Sequence, residues 1–133
     1  MIKILLDTNA YVKLASQDKE VFKVISEAES VVIPSIVIGE LIEGFYGGTQ
    51  FDKNRKTLNE FIDDLNIQIW DIGYQTAEIY GEIKNELKKK GTPIPANDIW
   101  IAASAIENGA KLITYDKHFL NIQGLRLWNI IKN

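Results

Sequence analysis

Hydrophobic positions along the chain switch between two spacings, and the switching predicts the architecture. Residues 67–70 alternate as one short strand, residues 31–33 and 111–114 make two more, and a near-continuous β-prone run stands at Ile2, Ile4, Leu5 and Leu6. Such runs are the pattern of strands covered on both faces of a parallel sheet. Between them the spacing becomes helical. A short helical stretch follows Asn9 to about Ala15, and Asp18 caps a helix carrying Val21, Val24, Ile25 and Ala28. Ser35 caps a further helix through Ile36, Val37, Ile38, Leu41, Ile42 and Phe45, which Gly47 and Gly48 end. Residues 51–65 place Leu58, Phe61, Ile62 and Leu65 on one stripe. Residues 76–90 repeat the period through Ala77, Tyr80, Ile83 and Leu87 and stop at Gly91, with Pro93 and Pro95 behind it. Residues 97–108, NDIWIAASAIEN, are apolar on almost every side, as in a helix packed into the middle of a domain and stopped by Gly109. Residues 125–128 predict a fifth strand at an edge. Strands alternating with helices imply βαβ units, right-handed crossovers and an α/β fold around a mainly parallel sheet of about five strands.

Composition narrows the class. At 133 residues and 46% hydrophobic, residues 1–133 are expected to form a single domain that buries roughly two-thirds of its unfolded surface. No cysteine is present, which removes disulfides and thiolate metal sites and agrees with a reducing compartment. No apolar run approaches the ~18 residues that cross a bilayer, and Asp7 arrives too early for a signal peptide, so a cytoplasmic protein is expected. The net charge of -3 means that any contact with nucleic acid uses a local patch rather than the whole surface.

Two predicted strands end in acids. Asp7 follows the first and Asp116 the fourth, while Asp98 opens the apolar helix just before that fourth strand. In an open parallel sheet the strand ends lie side by side, so these acids are expected to meet. Each also has a simpler reading: Asp7 and Asp98 as helix caps, Asp116 as part of a turn. Several carboxylates brought together repel and raise one another's pKa unless a cation neutralises them. On the third helix Glu40 falls at the border of the apolar stripe, where it can join the sheet edge, whereas Glu43 falls nearly opposite that stripe and reads as a solvated acid.

These segments carry a resemblance. DTN after the first strand, PSIVIGEL, NDIWIAA and LITYDKHF together, in this order from Ile4 to Phe119, resemble the PIN-domain ribonucleases, in particular the VapC-like toxins of toxin–antitoxin pairs. The resemblance implies a PIN-like three-layer α/β/α fold, usually dimeric, and an acidic pocket that binds Mg²⁺ or Mn²⁺ and cleaves RNA. It assigns catalysis and metal binding to Asp7, Glu40, Asp98 and Asp116, with Asn9 and Thr114 as supporting polar residues. A departure lies just after Asp116, where many relatives carry another acid and this chain has His118. The implied partners are an RNA substrate, a cognate antitoxin that inserts an Arg or Lys into the pocket, and a second copy of the chain.

The residue chemistry agrees with this reading on its own terms. Three aspartates and a glutamate, with no cysteine and one histidine, suit Mg²⁺ or Mn²⁺ rather than zinc. A haloacid-dehalogenase-like phosphatase would carry a second acid where Asn9 stands. A nucleotide-binding fold would need a glycine-rich turn after the first strand, and no glycine precedes Gly39. A catalytically weak or inactive PIN-type module that binds RNA or protein is the alternative. His118 reads as a polar surface group, Lys88, Lys89 and Lys90 as a solvated last turn, and Trp70, Trp100 and Trp128 as core packing. Tyr11 and Tyr46 flank the site segments and are weaker candidates for stacking on a base.

Overall fold

The computed structural model describes residues 2–128, so residue 1 and residues 129–133 of the expected domain lie outside the described part. The elements are β1 (Lys3–Leu6), α1 (Thr8–Ala15), α2 (Lys19–Glu27), β2 (Ser30–Pro34), α3 (Ser35–Gly47) and α4 (Phe51–Asp64). They continue with β3 (Gln68–Trp70), α5 (Tyr74–Lys90), α6 (Ala96–Asn108), β4 (Lys111–Ile113) and a 3₁₀ turn at Lys117–Asn121. The sheet order is β3-β2-β1-β4 with every neighbouring pair parallel. Leu5 stands opposite Val32 on one side and Leu112 on the other. Ile4, Leu5 and Leu6 all have 0% exposure. Because successive strand side chains point to opposite faces, helices must cover both sides of β1, giving the three layers of an α/β/α fold.

The expected fifth strand shrinks to a single parallel bridge between Leu112 and Leu127. The Leu112 N–H donates to the Arg126 carbonyl at 2.9 Å, and the Trp128 N–H donates to the Leu112 carbonyl at 3.0 Å. Backbone groups along a strand face alternate sides, so three-residue β4, already paired with β1, has only its middle residue free for another neighbour. Among the described residues, four strands and one bridge result.

Helix starts follow the capping chemistry, with two differences from the sequence reading. Asp18 caps α2 as expected, accepting from the N–H groups of Glu20 (3.0 Å) and Val21 (3.1 Å). Ser35 does not cap α3. Pro34 holds the cap position with extended backbone and Ser35 is already helical, so proline's fixed φ rather than a hydroxyl sets the start. Helix α5 begins at Tyr74, two residues before the expected Thr76, because the Thr76 hydroxyl accepts the Gly73 N–H at 3.1 Å and pulls the first turn in.

Helix α6 is the central packing element. Ile99, Ile101, Ala102, Ala103, Ser104 and Ala105 are buried, and the Ser104 hydroxyl donates to the Trp100 carbonyl at 3.0 Å. Its alanines keep the helix surface small, so α5 and the sheet come close. Trp100 stacks on Tyr80 of α5 with ring centroids 3.9 Å apart. At the carboxyl end of α6, Glu107 Oε1 accepts the Trp70 Nε1–H of β3 at 2.9 Å and the hydroxyl of fully buried Thr76 at 2.5 Å. One carboxylate thus ties the sheet edge, α5 and α6 together.

Glu107→Ala leaves the Thr76 hydroxyl and the Trp70 N–H without their acceptor and should cost about 1–3 kcal/mol in denaturant unfolding. Glu107→Gln keeps an oxygen acceptor and should cost less. Equal losses in the two variants would show that the acceptor is not what holds these elements.

Candidate active site

From β1 the chain moves outward through β2 to β3, then returns to place β4 on the other side of β1. The direction of winding therefore reverses between β1 and β4, the place where open parallel sheets leave a crevice at their carboxyl edge. Leu6 pairs with Ile113, so the residues after them, Asp7 on one strand and Thr114 to Asp116 on the other, are delivered side by side. Asp7, Glu40, Asp98 and Asp116 all line one cleft of about 240 Å³, together with Thr8, Asn9 and Glu43.

Capping and convergence are both realised. Asp7 is the N-cap of α1, its Oδ1 accepting the Ala10 N–H at 2.8 Å, and it is only 5% exposed. Burial pushes its carboxyl up from 3.8 to about 6. Hydrogen bonds from Thr114 and Ala10 oppose that rise, and the nearby Asp98 and Asp116 charges add to it. Asp98 lies in the first turn of α6 without a capping bond, where the helix N-terminus favours a negative group. Burial is the main cause raising its carboxyl, opposed by a hydrogen bond from His118, with the charges of Asp116 and Glu40 adding to the rise. Asp116 caps the 3₁₀ turn through Oδ1, which accepts the His118 N–H at 2.9 Å. Fully buried Thr114 accepts the Asp116 N–H at 3.0 Å, so one threonine hydrogen-bonds to both strand-end acids.

Glu40 reaches the cleft from the border of the α3 stripe. The Thr8 hydroxyl donates to its Oε1 at 2.5 Å and Asn97 Nδ2 to its Oε2 at 3.2 Å. These two orienting residues escaped the sequence reading, although Thr8 sits inside the DTN segment and Asn97 precedes Asp98. Asn9 is exposed and lines the cleft. Glu43 is exposed as expected and also lines the cleft, since three residues along a helix place it beside Glu40.

His118 is the main correction. It has partners: its Nδ1 lies 3.2 Å from Asp116 Oδ1 and 3.5 Å from Asp98 Oδ2. The 3₁₀ turn folds the imidazole back over the strand end, a geometry that a turn-like sequence does not disclose. One ligand atom each from Asp98, Asp116 and His118 lie within 4.8 Å of one another, a spacing able to hold a cation.

The remaining candidates stand apart. Tyr11 is 2% exposed and packs edge-to-face on Phe61, so it cannot stack on a base. Tyr46 is exposed but lies against Phe51. Lys88, Lys89 and Lys90 form the exposed last turn of α5, with Lys90 Nζ donating to the Asn121 carbonyl at 2.8 Å. Trp70 and Trp128 pack against the core as expected.

The fold and cleft have counterparts. The PIN domain family model matches residues 4–125. The chain is 32% identical to a ribonuclease VapC1 of Haemophilus influenzae over 92% of this chain and 93% of that protein. It is 30% identical to a tRNA(fMet)-specific endonuclease VapC of Salmonella typhimurium over 96% of this chain and 97% of that protein. In three dimensions it is similar to a chain in the crystal structure of VapBC2 from Rickettsia felis bound to a DNA fragment from their promoter. That match has a TM-score of 0.83 and 29% identity, covering 96% of this chain and 98% of that one. Together with the strand-end acids and the reversal of winding between β1 and β4, the matches show that the chain belongs to the PIN-domain family, alongside the VapC ribonucleases.

Proposed function

We propose that the chain is a metal-dependent endoribonuclease that hydrolyses RNA phosphodiester bonds, and that it is the toxin of a toxin–antitoxin pair. The observation that carries this reading is the convergence of Asp7, Glu40, Asp98 and Asp116, from four separate segments, on one cleft at the sheet's reversal point. The names of the VapC relatives, a ribonuclease and a tRNA-specific endonuclease, supply the reaction class and make transfer RNA the first substrate to test.

The donor set fits a hard divalent cation. Asp7 is buried beside two further acids and, among the described residues, no lysine or arginine lines the cleft, so a bound cation would offset the mutual repulsion of the ionised acids. Carboxylate oxygens of Asp7, Glu40, Asp98 and Asp116 would hold Mg²⁺ or Mn²⁺. When bound, the cation supplies positive charge that stabilises charge developing on the scissile phosphate.

The chain's own residues supply position. Ala10 and Thr114 fix the Asp7 carboxylate, while Thr8 and Asn97 fix Glu40. These bonds hold the acids apart at set places, so little rearrangement is needed when substrate arrives. A carboxylate of the cluster would take the proton released by the attacking water, and Asp116, with its side chain 33% exposed against 18% for Asp98, is the more solvent-accessible of these two. An antitoxin would silence the cleft by offering an arginine or lysine to the same carboxylates, and a second copy completes the expected dimer.

Asp98→Asn should lower RNA cleavage by at least about a hundredfold, with an unchanged circular dichroism spectrum, because it removes charge from the cluster without changing its shape. Cleavage at the wild-type rate would remove the assignment. A second expectation concerns the metal-free protein. Asp7 has its folded pKa raised to about 6 from 3.8, so its contribution to stability is full below 3.8 and is lost as pH rises through 6. The loss approaches about 3 kcal/mol once Asp7 is ionised. Thermal unfolding in a chelator should therefore show falling stability between pH 4 and 7, which Asp7→Asn makes shallower and added Mg²⁺ or Mn²⁺ reverses. A variant with the same pH profile as the wild type would contradict it.

A further inference from the structure

We propose that His118 is a nitrogen ligand of the cation in the acidic cleft and that it makes the site prefer Mn²⁺ to Mg²⁺. The inference rests on reading the cleft as a cation site and goes beyond the carboxylates to which that reading was limited.

Geometry carries the argument. A surface imidazole commonly pairs with one acid, but here a single nitrogen, Nδ1, faces Asp116 Oδ1 at 3.2 Å and Asp98 Oδ2 at 3.5 Å. The three groups offer ligand atoms within 4.8 Å of one another, so one ion can be shared among them. The imidazole is placed there by its backbone. Its N–H is donated to Asp116 Oδ1 at 2.9 Å, and the next residue, Phe119, is 1% exposed and anchors the 3₁₀ turn in the core. Its side chain is 52% exposed, so solvent and a dissolved cation can reach the ring.

Chemistry then sets the preference. Mg²⁺ is a hard ion that favours oxygen and gives up its water reluctantly, so an imidazole beside the carboxylates adds little to its binding. Mn²⁺ binds imidazole nitrogen more weakly than the later transition metals do, but it is softer and less tightly hydrated than Mg²⁺, so between these two ions the nitrogen favours Mn²⁺. A cleft of acids alone would lack this source of discrimination.

Because His118 is the chain's one histidine, the test is unambiguous in protein prepared without a histidine tag. Electron spin-echo modulation of the Mn²⁺-loaded protein should show ¹⁴N coupling to an imidazole, absent in His118→Ala and His118→Gln. Calorimetric titration with MnCl₂ and with MgCl₂ should show the Mn²⁺-over-Mg²⁺ affinity ratio falling by about tenfold or more in both variants, chiefly through weaker Mn²⁺ binding. Bound Mn²⁺ without ¹⁴N coupling, or an unchanged ratio in both variants, would overturn the inference while leaving the metal site standing. Failure of the wild-type protein to bind either cation would overturn both. Imidazole coupling in a protein that cleaves no RNA would uphold the ligand and contradict the ribonuclease reading instead. The wild-type spectrum decides the matter even where a variant folds poorly.

Discussion

A carboxylate forced into the protein interior is the constraint on which the site depends. Asp7 follows three completely buried residues of β1 with no intervening loop, so the strand's position dictates where the acid goes. Burying a charge without partners is strongly unfavourable. The fold answers with the Ala10 N–H and the Thr114 hydroxyl, yet the carboxyl is still held up at about 6. Those hydrogen bonds offset part of the cost, and the remainder is what a cation in the cleft would relieve.

The same local chemistry serves folding and assembly of the site. Asp7 starts α1 and Asp116 starts the 3₁₀ turn, each with one carboxylate oxygen, so capping and clustering are compatible uses of one side chain. Thr114 joins the two by accepting from the Asp116 backbone while bonding to Asp7. Glu40 comes from a separate helix and is held by Thr8 and Asn97, which belong to the segments that bring Asp7 and Asp98. Asp7, Glu40 and Asp116 are therefore kept in place by neutral backbone and hydroxyl or amide neighbours rather than by one another.

Much of this was legible in the sequence, because both signals are local. Uninterrupted apolar runs mark the strands covered on both faces, and an acid directly after such a run is committed to the sheet edge. Glu40 could be separated from Glu43 by its place on the α3 stripe. What stayed hidden depends on contacts distant in sequence or on turn geometry. The reduction of residues 125–128 to one bridge follows from the shortness of β4. The partners of His118 appear only when a 3₁₀ turn folds it over Asp98, twenty residues earlier in the chain. Thr8 and Asn97 acquire their roles only once α3 brings Glu40 between them. Tyr11, which flanks the site in sequence, is turned into the core by the pitch of α1.

If the buried acid and the cation compete for one place, binding must expel a proton wherever Asp7 still holds one. Calorimetric titration of Mn²⁺ into the metal-free His118→Gln protein, which has no imidazole proton to release, repeated in buffers of different ionisation enthalpy, counts those protons directly. Release of about one proton per bound ion at pH 5, falling toward none by pH 8, is expected for a carboxyl held near 6 in the binding site. Saturable binding with no proton release at pH 5, or no binding at either pH, would contradict the placement of the cation at Asp7.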